Sequence, residues 1–167
     1  MVGWLLVSKR FLHGFGTVVG RLAVVAMLVV LIPIGAGATV SIATGTTQNV
    51  TCMGGVCEPT AANAILNVGD LETLLASGNV TVTTTGSGVQ AADIEVDTAL
   101  SWSAGSTLTL DAYQSITVTK PVSVKGLGGL TLLTDDGGSG GILSFGKRGN
   151  VDFATLSGDL TINGTAK

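Results

Sequence analysis

From Val80 to Ile162 the chain is written in short alternating bursts. Val80-Thr81-Val82, Ile94-Glu95-Val96, Leu100-Ser101-Trp102, Leu108-Thr109-Leu110, Ile116-Thr117-Val118, Val122-Ser123-Val124, Leu130-Thr131-Leu132, Leu143-Ser144-Phe145, Val151-Asp152-Phe153 and Leu160-Thr161-Ile162 all read apolar, polar, apolar. In an extended strand, successive side chains point to opposite faces, so each burst places two apolar groups on one face and a polar group on the other. Gly, Ser, Asp, Asn and Pro lie between the bursts and form turns. The pattern predicts an all-β fold of short strands.

The spacing adds a period. The steps from Ile94 to Ile116, from Leu100 to Val122 and from Leu108 to Leu130 are equal, an offset of 22 in each case. Three strands therefore repeat as a set, as in one coil of a parallel β-helix whose coils stack and bury their inward side chains. The next steps, from Ile116 to Leu143, from Val122 to Val151 and from Leu130 to Leu160, are longer. The extra residues centre on Asp135-Asp136-Gly137-Gly138-Ser139-Gly140-Gly141, expected as a flexible loop extruded from one corner. An antiparallel sandwich of short strands is the competing architecture.

Upstream the pattern changes. Lys9, Arg10 and Arg21 precede an apolar stretch, Leu22 to Ile34, followed by Ala36-Gly37-Ala38. A basic start, a short apolar middle and small residues at the exit read as a secretory signal peptide, residues 1–38, cleaved between Ala38 and Thr39. The apolar stretch is shorter than the roughly 20 residues needed to cross a bilayer. Residues 39–167 then hold five basic residues against eleven acids, a net charge of −6. That balance excludes a phosphate-binding surface, so nucleic acid is not an expected partner.

Residues 39–60 form a Thr- and Gly-rich lead-in expected to be flexible, with Cys52 and Cys57 as its cysteines. A pair of cysteines in an exported chain reads as a disulfide, here closing a small loop. Metal ligation by the pair lacks companions, because His13 falls in the signal and residues 39–167 contain no histidine. Residues 61–79 are expected to be a helical cap. Leu71, Leu74 and Leu75 share one helix face, Asp70 can cap the start and Gly78 the end. Such a cap would cover the open end of the strand stack at residues 80–167.

The chemistry available is sparse. Without histidine, a His-based triad is excluded from residues 39–167. Asp93, Glu95 and Asp97 share the outer face of one strand, where they can serve as a solvated surface, a site for a hard cation or the acids of a polysaccharide-cleaving cleft with Lys120. One repeat step beyond Glu95 falls on Thr117. The solvated surface is the expected role, so no catalytic, metal or cofactor residue is assigned. Trp102, Phe145 and Phe153 each take the third place of a burst and are expected to stack inward, with an exposed sugar platform as the alternative for Trp102.

The segments Leu74–Thr84, Thr107–Val118, Gly129-Leu130-Thr131-Leu132, Asp136–Gly141 with Leu143-Ser144-Phe145, and Leu160–Thr165 together resemble filamentous-haemagglutinin-like and autotransporter-type bacterial surface adhesins. The resemblance spans about residues 57–167. It implies a right-handed parallel β-helix, exported and displayed at the bacterial outer membrane, with the surface of a host or neighbouring cell, protein or glycan, as partner. Members of that family usually run to many more coils. Residues 80–167 are accordingly expected to be the first coils of a longer stalk, with further coils as a second kind of partner. A polysaccharide lyase or hydrolase on the same scaffold, and a purely structural spacer, are the alternatives. Membrane contact is expected only through export or surface attachment.

Overall fold

The computed structural model describes residues 37–167. The expected signal peptide lies outside the described residues apart from its last two positions. In chain order the elements are β1 (Thr39–Ala43), β2 (Val50–Met53), β3 (Val56–Pro59), β4 (Ala64–Asn67), α1 (Val68–Ser77), β5 (Val80–Thr83), β6 (Thr85–Gly86), β7 (Val89–Gln90) and β8 (Asp93–Val96). There follow β9 (Leu100–Trp102), β10 (Thr107–Asp111), β11 (Ile116–Val118), β12 (Val122–Val124), β13 (Gly129–Leu133), β14 (Leu143–Phe145), β15 (Val151–Phe153), β16 (Asp159–Ile162) and β17 (Thr165–Ala166). The described residues are thus all-β with one helix.

The strands join into three principal sheets. One has the order β14-β11-β8-β1-β4 and a second β15-β12-β9, and every pair in both is parallel. The third, β17-β16-β13-β10-β5-β3-β2, is mixed. Its middle is parallel, but the hairpins β2–β3 and β16–β17 make both ends antiparallel, a departure from the uniformly parallel ladder expected. β6 and β7 form a separate antiparallel pair.

The equal steps are register pairs. Ile94 lies opposite Ile116, Leu100 opposite Val122 and Leu108 opposite Leu130. The longer steps also pair, Ile116 with Leu143, Val122 with Val151 and Leu130 with Leu160. The apolar positions of the bursts form buried columns. Val40, Ile94 and Ile116 form one, and Val80, Leu108 and Leu130 another, all at most 2 % exposed. In register, each inward side chain meets another apolar group on the next strand, which is the arrangement that removes most apolar surface from water.

The lead-in is ordered, contrary to expectation. Thr39-Val40-Ser41-Ile42-Ala43 alternates like the later bursts, and β1 sits inside its sheet with β4 on one side and β8 on the other. Val40 and Ile42 are buried there, so burial fixes a segment whose Thr content alone suggested a loose one. The expected cleavage point falls at the start of this strand. Ala38 is buried and its carbonyl accepts the Ala92 N–H at 2.9 Å. Cys52 and Cys57 are disulfide-bonded opposite one another in the β2–β3 hairpin. Its two-residue turn is Gly54-Gly55, with φ of +59° and +84°, as a tight hairpin turn requires.

The helical cap is shorter than residues 61–79. Residues 64–67 are strand β4, because Ala64 and Leu66 alternate inward against β1. Asn67, and not Asp70, caps α1: its Oδ1 accepts the N–H groups of Gly69 and Asp70. Leu71 and Leu75 are buried beneath the helix. The Gly78 N–H closes the last turn on the Leu74 carbonyl. α1 packs on β9, whose side away from β12 pairs with no strand among the described residues. There Glu72 Oε1 accepts the Ser101 N–H at 2.8 Å, Ser106 Oγ donates to the Leu75 carbonyl at 2.6 Å, and Asn79 Oδ1 accepts the Thr107 N–H at 2.8 Å. Glu72 thereby satisfies an edge group of β9, Ser106 a carbonyl of the last helical turn, and Asn79 the first N–H of β10.

Two further expectations are corrected. The Asp- and Gly-rich loop between β13 and β14 is laid on the preceding corner, not extruded from it. Its Asp135 and Asp136 N–H groups bond the carbonyls of Gln114 and Ala112. A Cβ at Gly138 or Gly141 would overlap the carbonyl oxygens of Tyr113 and Gln114, so glycine permits this contact. Trp102 is inward as expected, 4 % exposed, and donates Nε1–H to the Ser106 carbonyl at 2.9 Å, which removes it as a sugar platform. Phe153 is only half-buried and Phe145 is 47 % exposed. Both sit on strands β15 and β14 that have a partner on one side only, so nothing covers their outer edge among the described residues.

Candidate functional site

Asp93 and Glu95 share the outer face of β8, because Ile94 and Val96 occupy its buried face, and Asp97 follows directly after the strand. Register brings Ser41 of β1 and Thr117 of β11 to either side of Glu95. The result is a flat patch of carboxylates bordered by hydroxyls, continued by a Thr117–Ser144 hydroxyl contact of 3.0 Å. Asp93 Oδ1 accepts the Ser115 N–H at 3.0 Å, and Asp97 Oδ1 accepts the Thr119 hydroxyl at 3.3 Å. Partial burial, then the charge and hydrogen bond of Asp97, then the charge of Asp93 push the Glu95 carboxyl above its ordinary range.

Lys120 follows Thr119 at the turn before β12. Asp93 and Asp97 bond Ser115 and Thr119, and neither bond reaches Lys120. The structure therefore assembles the three acids and leaves the proposed cationic partner out of their hydrogen-bond set. Among the described residues no group of three or more His, Cys, Asp or Glu is arranged to hold a metal ion. The patch can accept hydrogen bonds and carry negative charge across several strands.

Two clefts open where α1 meets the disulfide hairpin, one on each side of Leu74. The first, about 310 Å³, is lined by Val50, Cys52, Leu66 and Leu74 with Thr47, Asp70 and Thr73. The second, about 290 Å³, runs over the Gly54-Gly55 turn and the Gly78–Val80 exit of the helix. Sequence reasoning missed both, since they arise from packing between a hairpin and a helix whose relative placement no local pattern encodes.

It also missed a second carboxyl pair. Asp111 ends β10, and the loop after β13 brings Asp136 to it. The only sequence signal was an acid at each end of one loop step. No helix among the described residues is long and apolar enough to cross a membrane. No family model, no curated protein and no solved structure matches this chain.

Proposed function

We propose that the protein is an exported surface protein, the stalk or N-terminal portion of a filamentous-haemagglutinin-like adhesin, and that it attaches to host or neighbouring cells through protein or glycan. On this reading its strands wind as a right-handed parallel β-helix behind a cleaved signal peptide, and α1 is its N-terminal cap. The observation that carries the reading is the in-register ladder, in which β8, β9 and β10 are each followed by a parallel neighbour one equal step on, in three different sheets. Crossovers between parallel strands are right-handed in about 98 % of cases, which supports the hand. Stacked strands make a stiff body with long, shallow outer faces suited to attachment. Its work is display and binding, without catalysis, and further coils of a longer chain would stack on β14 and β15.

The test is saturable binding of the labelled protein to producing cells and to host cells. Saturable, competable binding to either supports the adhesin. Binding to neither would reject it and leave the structural spacer. The raised Glu95 carboxyl favours a second reading, a polysaccharide-cleaving enzyme with Glu95 as the acid. A depolymerisation assay on the protein and on Glu95→Gln decides it: cleavage lost in the variant supports that reading, and a parent that cleaves nothing removes it.

A further inference from the structure

The loop at residues 134–142 behaves geometrically as a strap across the corner at residues 111–114. Its backbone is bonded to that corner by the Asp135 and Asp136 N–H groups, and Gly137 lies against the Tyr113 ring. Asp135 takes a left-handed φ of +61° and its Oδ1 accepts the Gly141 N–H at 2.7 Å, which folds the strap back on itself. The far side is tied by Asn163, whose Oδ1 accepts the Thr134 N–H at 2.9 Å.

One contact under the strap does not close. Asp111 Oδ1 is buried with no hydrogen-bond partner. The Asp136 carboxyl is beside it, and two ionised carboxylates have only acceptors to offer each other. A single proton between them supplies the missing donor. We infer that the Asp111–Asp136 pair is a proton-operated latch, which holds the strap on its corner while the two carboxyls share a proton and loosens it when both are ionised.

The surroundings favour this. The residues that flank the pair in register and at the corner are Thr83 and Leu133, the register partners of Asp111, together with Thr84, Tyr113 and Asp135. The titratable groups are the three carboxyls and the Tyr113 phenol, and no Lys or Arg is among these residues. Burial first, then the Asp136 charge and hydrogen bond, hold the Asp111 carboxyl above its ordinary range. Asp111 therefore keeps its proton to a higher pH than an ordinary aspartate and loses it as pH rises through its folded value.

The test is backbone amide exchange at residues 134–142 of the full chain, corrected for the intrinsic rate, from about pH 4 to about pH 7. Protection should fall severalfold as pH rises. Asp136→Asn, at an exposed position, should remove that fall, because its amide donates to Asp111 at every pH. Asp135→Asn should keep it. A flat profile in the parent, or a fall that persists in Asp136→Asn, overturns the latch. So does millimolar calcium chloride that restores protection at neutral pH in the parent and not in Asp136→Asn, because the pair would then be holding a cation.

Discussion

Replacing Leu108 by alanine tests the ladder where it is most closed. Leu108 is fully buried, and its register partners Val80 and Leu130 are 2 % and 1 % exposed. Strands on both sides hold the walls of the resulting cavity at their hydrogen-bonded spacing, so the site cannot collapse. A cost toward the upper part of the Leu→Ala range follows, about 4 kcal/mol. With a urea dependence of about 2 kcal/mol per molar, the denaturation midpoint falls by about 2 M. The matched control is Leu160→Ala, with the same residue in the same column two strands further on. Leu160 is only half-buried, so its loss costs about 1–2 kcal/mol and moves the midpoint by less than about 1 M. Urea unfolding followed by circular dichroism measures both. Equal costs at the two leucines, or less than about 1 kcal/mol at Leu108, would refute a column that is sealed at β10 and open at β16.

Glu72→Ala leaves the Ser101 N–H without its acceptor, and should cost about 1–3 kcal/mol and speed amide exchange at Ser101 ahead of its neighbours on β12. Glu95→Gln removes a carboxylate whose raised folded pKa makes stability fully present below its unfolded value and lost as pH climbs through the folded one. The variant should therefore melt higher than the parent at neutral pH and the same at low pH, as scanning calorimetry will read. Reducing the Cys52–Cys57 bond, which closes a short loop, should cost about 2 kcal/mol and leave the strand signal in the far-ultraviolet spectrum intact.

The run from β8 to β13 was legible because its loops are of nearly equal length. Equal loops turn spatial neighbours into equal sequence offsets, and alternation inside each burst names the buried face. β1 and β4 were not legible for the converse reason. Between them the chain makes a hairpin, and between β4 and β8 it makes a helix and the β6–β7 pair, so Val40 meets Ala64 and Ile94 at offsets of 24 and 54 that match nothing downstream. Of the candidate site, the shared face of Asp93 and Glu95 follows from two-residue alternation alone. The Asp111–Asp136 contact depends on how a glycine-rich strap lies down, and glycine spacing predicts a turn without predicting what it touches. Asn67 was passed over as a cap because the apolar face of α1 begins later, at Leu71.

The position of β1 bears on the order in which the protein can assemble. A chain that emerges amino end first offers β1 before any partner exists. Its first neighbour, β4, arrives only with Ala64, and its second, β8, only with Asp93. Until then one edge of β1 is unsaturated, and the hairpin, the helix and β5 must wait beside it. The first of the described strands therefore keeps an open edge while the hairpin, the helix and β5 are made, and no fragment ending before Val96 can complete its pairing with β8.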